Sequence, residues 1–200
     1  MRIGILGGTF NPPHLGHLVC AQEAYLQLRL ETVLLIPARI PPHKPVAEEP
    51  GIEHRLEMCR LAIAGDERFE VSDIEARREG PSFTVDTLEE LHAHQPDSEL
   101  FLIVGGDVAA GFASWREPDR VLALASLAIA ERPGTSRADV QQALGQLQRG
   151  ERARFFDMPA IEISSTMLRD RARHGGPTRY LVPDAVRSYI DRHRLYGGSQ

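Results

Sequence analysis

Six short apolar runs rich in β-branched residues, separated by segments of helical period, leave few architectures open to this chain. The runs fall at 2–7, 32–37, 68–73, 100–105, 126–130 and 154–158. Between them lie HLVCAQEAYLQLRL, EHRLEMCRLAIAG, TVDTLEELHAH and RADVQQALGQLQ, and two more helical stretches begin near SSTMLRDRARHG and PDAVRSYIDRH at the C-terminus. Strand and helix in alternation predict βα units, because parallel neighbours need a crossover and the crossover helix covers a sheet face. The expectation is an α/β fold, a parallel sheet flanked by helices, with a small C-terminal helical segment. Ligands of open parallel sheets bind at the C-terminal ends of the strands, where GGTF, PARIPPHK, GGDV and ERPG all fall.

Two hundred residues, 42% of them hydrophobic, suffice for one core. They are read as a single domain over 1–200, with an α/β core at 1–160 and a helical segment at 161–200. The apolar run VLALASLAIA is ten residues long, against roughly 18 for a bilayer span. With no secretory leader pattern at the start, the chain is expected to act in the cytoplasm and away from membranes. Cys20 and Cys59 form no CxxC pattern and are expected to be reduced. A net charge of -5 argues against a nucleic-acid coat, whose affinity rests on clustered cations. An anionic ligand must therefore meet a local positive site. Of the 23 basic residues only Lys44 is a lysine, which singles out the PPHK segment.

GILGGTFNPPHLGH, Gly4 to His17, concentrates backbone freedom, stiffness and potential charge. Gly7 and Gly8 can adopt backbone angles closed to other residues and let a ligand approach the main chain. Pro12 and Pro13 stiffen the connection, and a helix beginning near His14 turns its free N–H groups and positive dipole end to the same space. His14 and His17 share a face at i and i+3, where both can donate to phosphate oxygens or to charge developing during nucleotidyl transfer. Gly16 between them leaves room for a nucleotide. A zinc site through Cys20 fits poorly, since that thiol sits on a different face from His14. ISSTMLRDR, Ile163 to Arg171, is a second candidate anion cradle. Ser164, Ser165 and Thr166 place hydroxyls and N–H groups at a helix start, with Arg169 about one turn later. A plain helix cap with a solvated arginine is the alternative. Two cradles in one chain suit a polyphosphate held at both ends.

GGTFNPPHLGH resembles the (H/T)xGH signature of the nucleotidyltransferase superfamily, and ISSTMLR is similar to its ISSTxxR signature. With IPPHK, SFTVDTL, IVGGD, ASW, ERPG, DMPAIEISST and RYLVPDAVRSYI, the chain resembles the bacterial nicotinate mononucleotide adenylyltransferases from end to end. The FNPPH and PPHK forms favour these over the phosphopantetheine enzymes that share both signatures. The resemblance implies a Rossmann-like fold that joins ATP to nicotinate mononucleotide, releasing pyrophosphate and forming nicotinate adenine dinucleotide. It implies His14, His17, Lys44 and Arg169 as catalytic residues. ATP would lie against Gly7, Gly8, Thr9, Phe10, Gly105, Asp107, Ile163 and Ser164 to Thr166. The mononucleotide would meet Lys44, Thr84, Trp115 and Arg132. Trp115 stacks on a pyridine ring or fills the core, and Asp107 contacts nucleotide or caps a helix. Mg²⁺ is expected to arrive with ATP and to be held by phosphate oxygens and water. A homo-oligomer is left open. Pro177 and Thr178 replace the Ser-Ile common in relatives, which removes a phosphate contact from that turn's expected roles.

Overall fold

Strand β1 (Arg2–Gly8) lies inside a six-stranded parallel sheet of order β3-β2-β1-β4-β5-β6, in a computed structural model that describes residues 1–42, 50–131 and 136–197. Its neighbours are β2 (Thr32–Pro37) and β4 (Glu99–Gly105), with β3 (Phe69–Val71), β5 (Ala125–Glu131) and β6 (Arg154–Asp157) outward. The order reverses between β1 and β4, so the crevice above these two strands is the switch point at which such sheets bind ligands. This is the expected Rossmann-like α/β fold.

The strands alternate faces and the helices cover both. Leu34, Ile36, Leu102 and Val104 point to one side, where they pack with Val85 and Leu88 of α4 (Thr84–His94) and with α5 (Gly106–Ala110), α6 (Pro118–Leu124) and α7 (Arg137–Leu144). Val33, Leu35, Phe101 and Ile103 point to the other side, against Cys20, Ala21 and Ala24 of α1 (Leu15–Gln27) and Cys59 of α2 (Ile52–Ala62). A third cluster joins Met58 of α2 to Leu168 of α8 (Ser165–Arg173) and to Val186 and Ile190 of α9 (Asp184–His193). The C-terminal segment is thereby packed on the core.

The strands keep the boundaries read from the sequence to within one residue at each end, with one exception. β3 is shorter than 68–73, as an edge strand whose pairing with β2 covers only Phe69 to Val71. The run VLALASLAIA divides between a helix and a strand at Leu124 and Ala125. Pro118 opens α6 at a position where its missing N–H costs nothing, and Ala125 begins the ladder by pairing with Leu100. Between β3 and α4, a single helical turn, α3 (Ile74–Arg77), carries Glu75.

Candidate active site

A cleft of about 470 Å³ opens at the C-terminal ends of β1 and β4, within the usual range for small-molecule sites. Gly7, Gly8 and Thr9 form one wall with Gly16 and His17. Gly105, Asp107, Trp115 and Arg116 also line it, with Ala38, Pro41, Pro42, Glu75 and Ser82 to Thr84.

Gly7 and Gly8 do not use the left-handed backbone the sequence reading allowed them. In this turn that region is taken by Phe10, at φ 49°. What the glycines provide is space. A Cβ on Gly8 would sit 3.3 Å from the Phe10 ring, and one on Gly7 would project into open volume. Phe10 itself is 1% exposed and its ring edge packs on His17 at 4.9 Å, so the ring supports the histidine from the core side.

His14 is the N-cap of α1 and His17 its third residue. Their rings stack with centroids 3.7 Å apart, as the i and i+3 spacing predicted. The His14 backbone N–H donates to His17 Nδ1 at 3.2 Å. An accepting Nδ1 places the proton of the neutral His17 ring on Nε2, which makes that nitrogen a donor. Gly16 makes room for a side chain, since a Cβ there would lie 3.1 Å from the His14 ring. A side chain here would press the His14 ring out of the stack by a few tenths of an ångström.

The second cradle meets the first across the whole length of the chain. Arg169 donates through Nη1 to Asn11 O at 3.0 Å, and Ser165 Oγ donates to Pro12 O at 2.9 Å. Leu15 N–H reaches Leu181 O at 3.1 Å, and the Tyr196 hydroxyl donates to Asn11 Oδ1 at 2.6 Å. Ser164 is an N-cap, accepting from Met167 N–H at 3.2 Å. Hence both serine hydroxyls are engaged within the fold, Ser164 at its own helix cap and Ser165 across to the histidine loop. With Met167 N–H taken by that cap, the N–H groups of Ser165 and Thr166 at the start of α8 are what the motif offers an anion. Ile163, Ser164, Ser165, Thr166 and Arg169 are not among the residues lining the cleft, and Ser165 and Arg169 tie the motif to the histidine loop.

At the opposite end Trp115 is partly buried beside Phe112, with centroids 5.1 Å apart, while also lining the cleft. Phe83 and Thr84 bring in the start of α4, whose dipole favours a negative group. Asp107 is an exposed cleft residue of α5, and the N-cap of that helix is Gly105. The capping alternative for Asp107 is thereby excluded. A Cβ on Gly105 would lie 2.7 Å from Asp107 Oδ1. Lys44 and Arg132 lie outside the described residues.

Three residues of this region escaped the sequence reading. Arg116 lines the cleft with its guanidinium 4.6 Å from the centre of the Phe83 ring. Glu75 is buried against the cleft, accepts from Thr87 Oγ1 at 2.7 Å and hydrogen-bonds Ser82. Burial pushes its carboxyl above the ordinary range, partly offset by Thr87, Ser82 and the Arg78 charge. Arg55 is buried in α2. A usable signal existed only for Arg55, which stands one turn before the apolar pair Met58 and Cys59 on its own helix face.

The cytidylyltransferase-like family model matches residues 5–171. A probable nicotinate-nucleotide adenylyltransferase of Synechococcus sp. is 45% identical over 197 residues, covering 98% of this chain and 94% of that protein. A protein of the same description from Desulfitobacterium hafniense is 44% identical over 200 residues, covering 98% and 95%. A Plasmodium falciparum nicotinic acid mononucleotide adenylyltransferase complexed with NaAD shares the fold, with a TM-score of 0.79 at 19% identity over 98% of this chain and 97% of that one.

Proposed function

The chain belongs to the cytidylyltransferase-like family and within it to the nicotinate-nucleotide adenylyltransferases, and from that premise we propose that it transfers the adenylyl group of ATP to nicotinate mononucleotide. The products are nicotinate adenine dinucleotide and pyrophosphate, a step of NAD biosynthesis. The observation that carries the reading is the stacked His14–His17 pair at the β1–β4 switch point, fastened to the α8 cradle.

The mononucleotide phosphate attacks the α-phosphorus of ATP in line, and the bond to the β-phosphate bridging oxygen breaks. No protein nucleophile takes part. The protein's contribution is positioning and charge stabilisation. ATP lies along Gly7 to Phe10, Gly105 and Asp107. His17 donates through Nε2 and His14 works beside it on the phosphates, stabilising charge as it develops. The N–H groups at the start of α8, with Arg169, face the leaving pyrophosphate. Lys44 holds phosphate and Arg132 meets the mononucleotide. The pyridine ring stacks on Trp115, and its carboxylate faces the start of α4 at Thr84, where a negative group is favoured over a neutral amide.

Mg²⁺ travels with ATP and neutralises the polyphosphate. Among the described residues no three His, Cys, Asp or Glu side chains converge as a metal cage, and an ion coordinated by phosphate oxygens and water requires none. Residues 1–200 act as one nucleotidyltransferase domain, with 161–200 supplying the second cradle. No described helix is long and apolar enough to cross a membrane, and we place the reaction in the cytoplasm.

Product analysis tests the reading. Purified protein is incubated with ATP, Mg²⁺ and, in parallel, nicotinate mononucleotide, nicotinamide mononucleotide or phosphopantetheine. Dominant nicotinate adenine dinucleotide with pyrophosphate is expected. Preferred turnover of another acceptor would overturn the substrate assignment, and ATP binding without product from any acceptor would overturn the enzyme reading.

A further inference from the structure

We propose that Arg55 is a positioning residue that sets the spacing between the two halves of the active site, an inference resting on the adenylyl-transfer reading. Its side chain, 1% exposed, enters from α2 beneath the cleft. Nη1 donates to Thr9 O at 2.9 Å and to Ala38 O at 2.7 Å, and Nη2 to Arg39 O at 3.3 Å. Thr9 belongs to the turn assigned to ATP, and Ala38 begins the segment leading toward Lys44. Both line the cleft. One planar group thus bridges the loop after β1 and the loop after β2.

The second loop is held from the opposite side as well. Ser82 Oγ accepts from Arg39 N–H at 3.0 Å and Ile40 N–H at 3.4 Å, and Ser82 N–H donates to Ile40 O at 2.8 Å. Ser82 immediately precedes the α4 start at which the pyridine carboxylate is placed, and Glu75 bonds its hydroxyl from below. Residues 38–40 therefore connect the phosphate turn, through Arg55, to the pyridine end, through Ser82. An in-line transfer needs its reacting atoms within about 3–3.5 Å, and a misplacement of about 1 Å can cost 10²-fold. The fixed fork of a guanidinium holds three carbonyls of two loops in a set geometry, which a flexible ammonium does not reproduce.

The test compares wild type, R55K and R55A in kcat and in the KM of each substrate. Circular dichroism reports folding, and amide hydrogen exchange is followed at 8–10 and 38–40. R55K is expected to stay folded, lose about 10- to 100-fold in kcat, keep each KM within about threefold, and exchange faster at both segments together. Added guanidinium ion is expected to restore part of the kcat of R55A, and if R55A does not fold, R55K decides. Wild-type kcat in folded R55K, or unchanged exchange, overturns the proposal, as does a rise in the KM of one substrate alone, which would mark direct contact. If the wild-type protein makes no dinucleotide, the adenylyl-transfer reading fails, and the exchange measurement still decides whether Arg55 couples the two loops.

Discussion

His17→Ala removes two separable things, and the structure gives a scale for each. One is the Nε2 donor, whose loss is expected to lower kcat by about 10²–10³, or roughly 2.7–4 kcal/mol of transition-state stabilisation. The other is the acceptor that takes the His14 N–H at the helix start. Loss of such a cap costs about 1 kcal/mol of stability. His17→Gln separates them, because glutamine at this third helical position can reach back to the N-cap N–H while its amide lies elsewhere than Nε2. Steady-state kinetics with saturating ATP and nicotinate mononucleotide, beside urea unfolding, should show both variants slow but only His17→Ala less stable. A kcat within about threefold of wild type in folded His17→Ala would refute donor catalysis. Full recovery of kcat in His17→Gln would reduce the role of the ring to capping.

Three further outcomes are expected. Trp115→Ala should raise the KM for the mononucleotide by about two- to tenfold, in keeping with one lost aromatic stack of about 0.5–1.5 kcal/mol, and Trp115→Phe should recover most of it; an unchanged KM in the alanine variant would remove the stacking role. Lys44→Ala should weaken phosphate binding or turnover by about tenfold or more, and wild-type kinetics would make it a solvated loop lysine. Glu75 is an acid whose native pKa is raised above its ordinary 4.5, so between those two values the folded state holds a proton the unfolded state has released, and stability falls as pH rises. Glu75→Gln should flatten that part of the profile, with its stability relative to wild type increasing from pH 4.5 upward in urea unfolding; a pH-independent difference would show that the carboxylate is not held in a desolvating site.

Local signals in the chain reach about as far as a helical turn or a strand, and what lies within that reach was legible. β-branched runs and helical period were enough for the alternating elements and the fold class. The HxGH spacing was enough to bring two imidazoles face to face, because residues three apart share a helix face whatever surrounds them. Within VLALASLAIA the same reasoning places a strand at 126–130 but leaves 121–124 unassigned, since nearly every residue is apolar in either conformation, and the break at Ala125 follows from its register with Leu100.

The amino-acid sequence by itself determined the parallel α/β architecture and the two helix starts and side chains for which phosphate binding is proposed. Only the tertiary structure decided how they meet. The bond from Tyr196 to Asn11 spans 185 positions, that from Arg169 to Asn11 spans 158, and that from Arg55 to Thr9 spans 46. Such contacts depend on strand order and on which helices share a sheet face, and neither is written in any local pattern. A buried arginine and a buried glutamate look like ordinary surface charges until the fold closes over them and each must find hydrogen-bond partners in place of water.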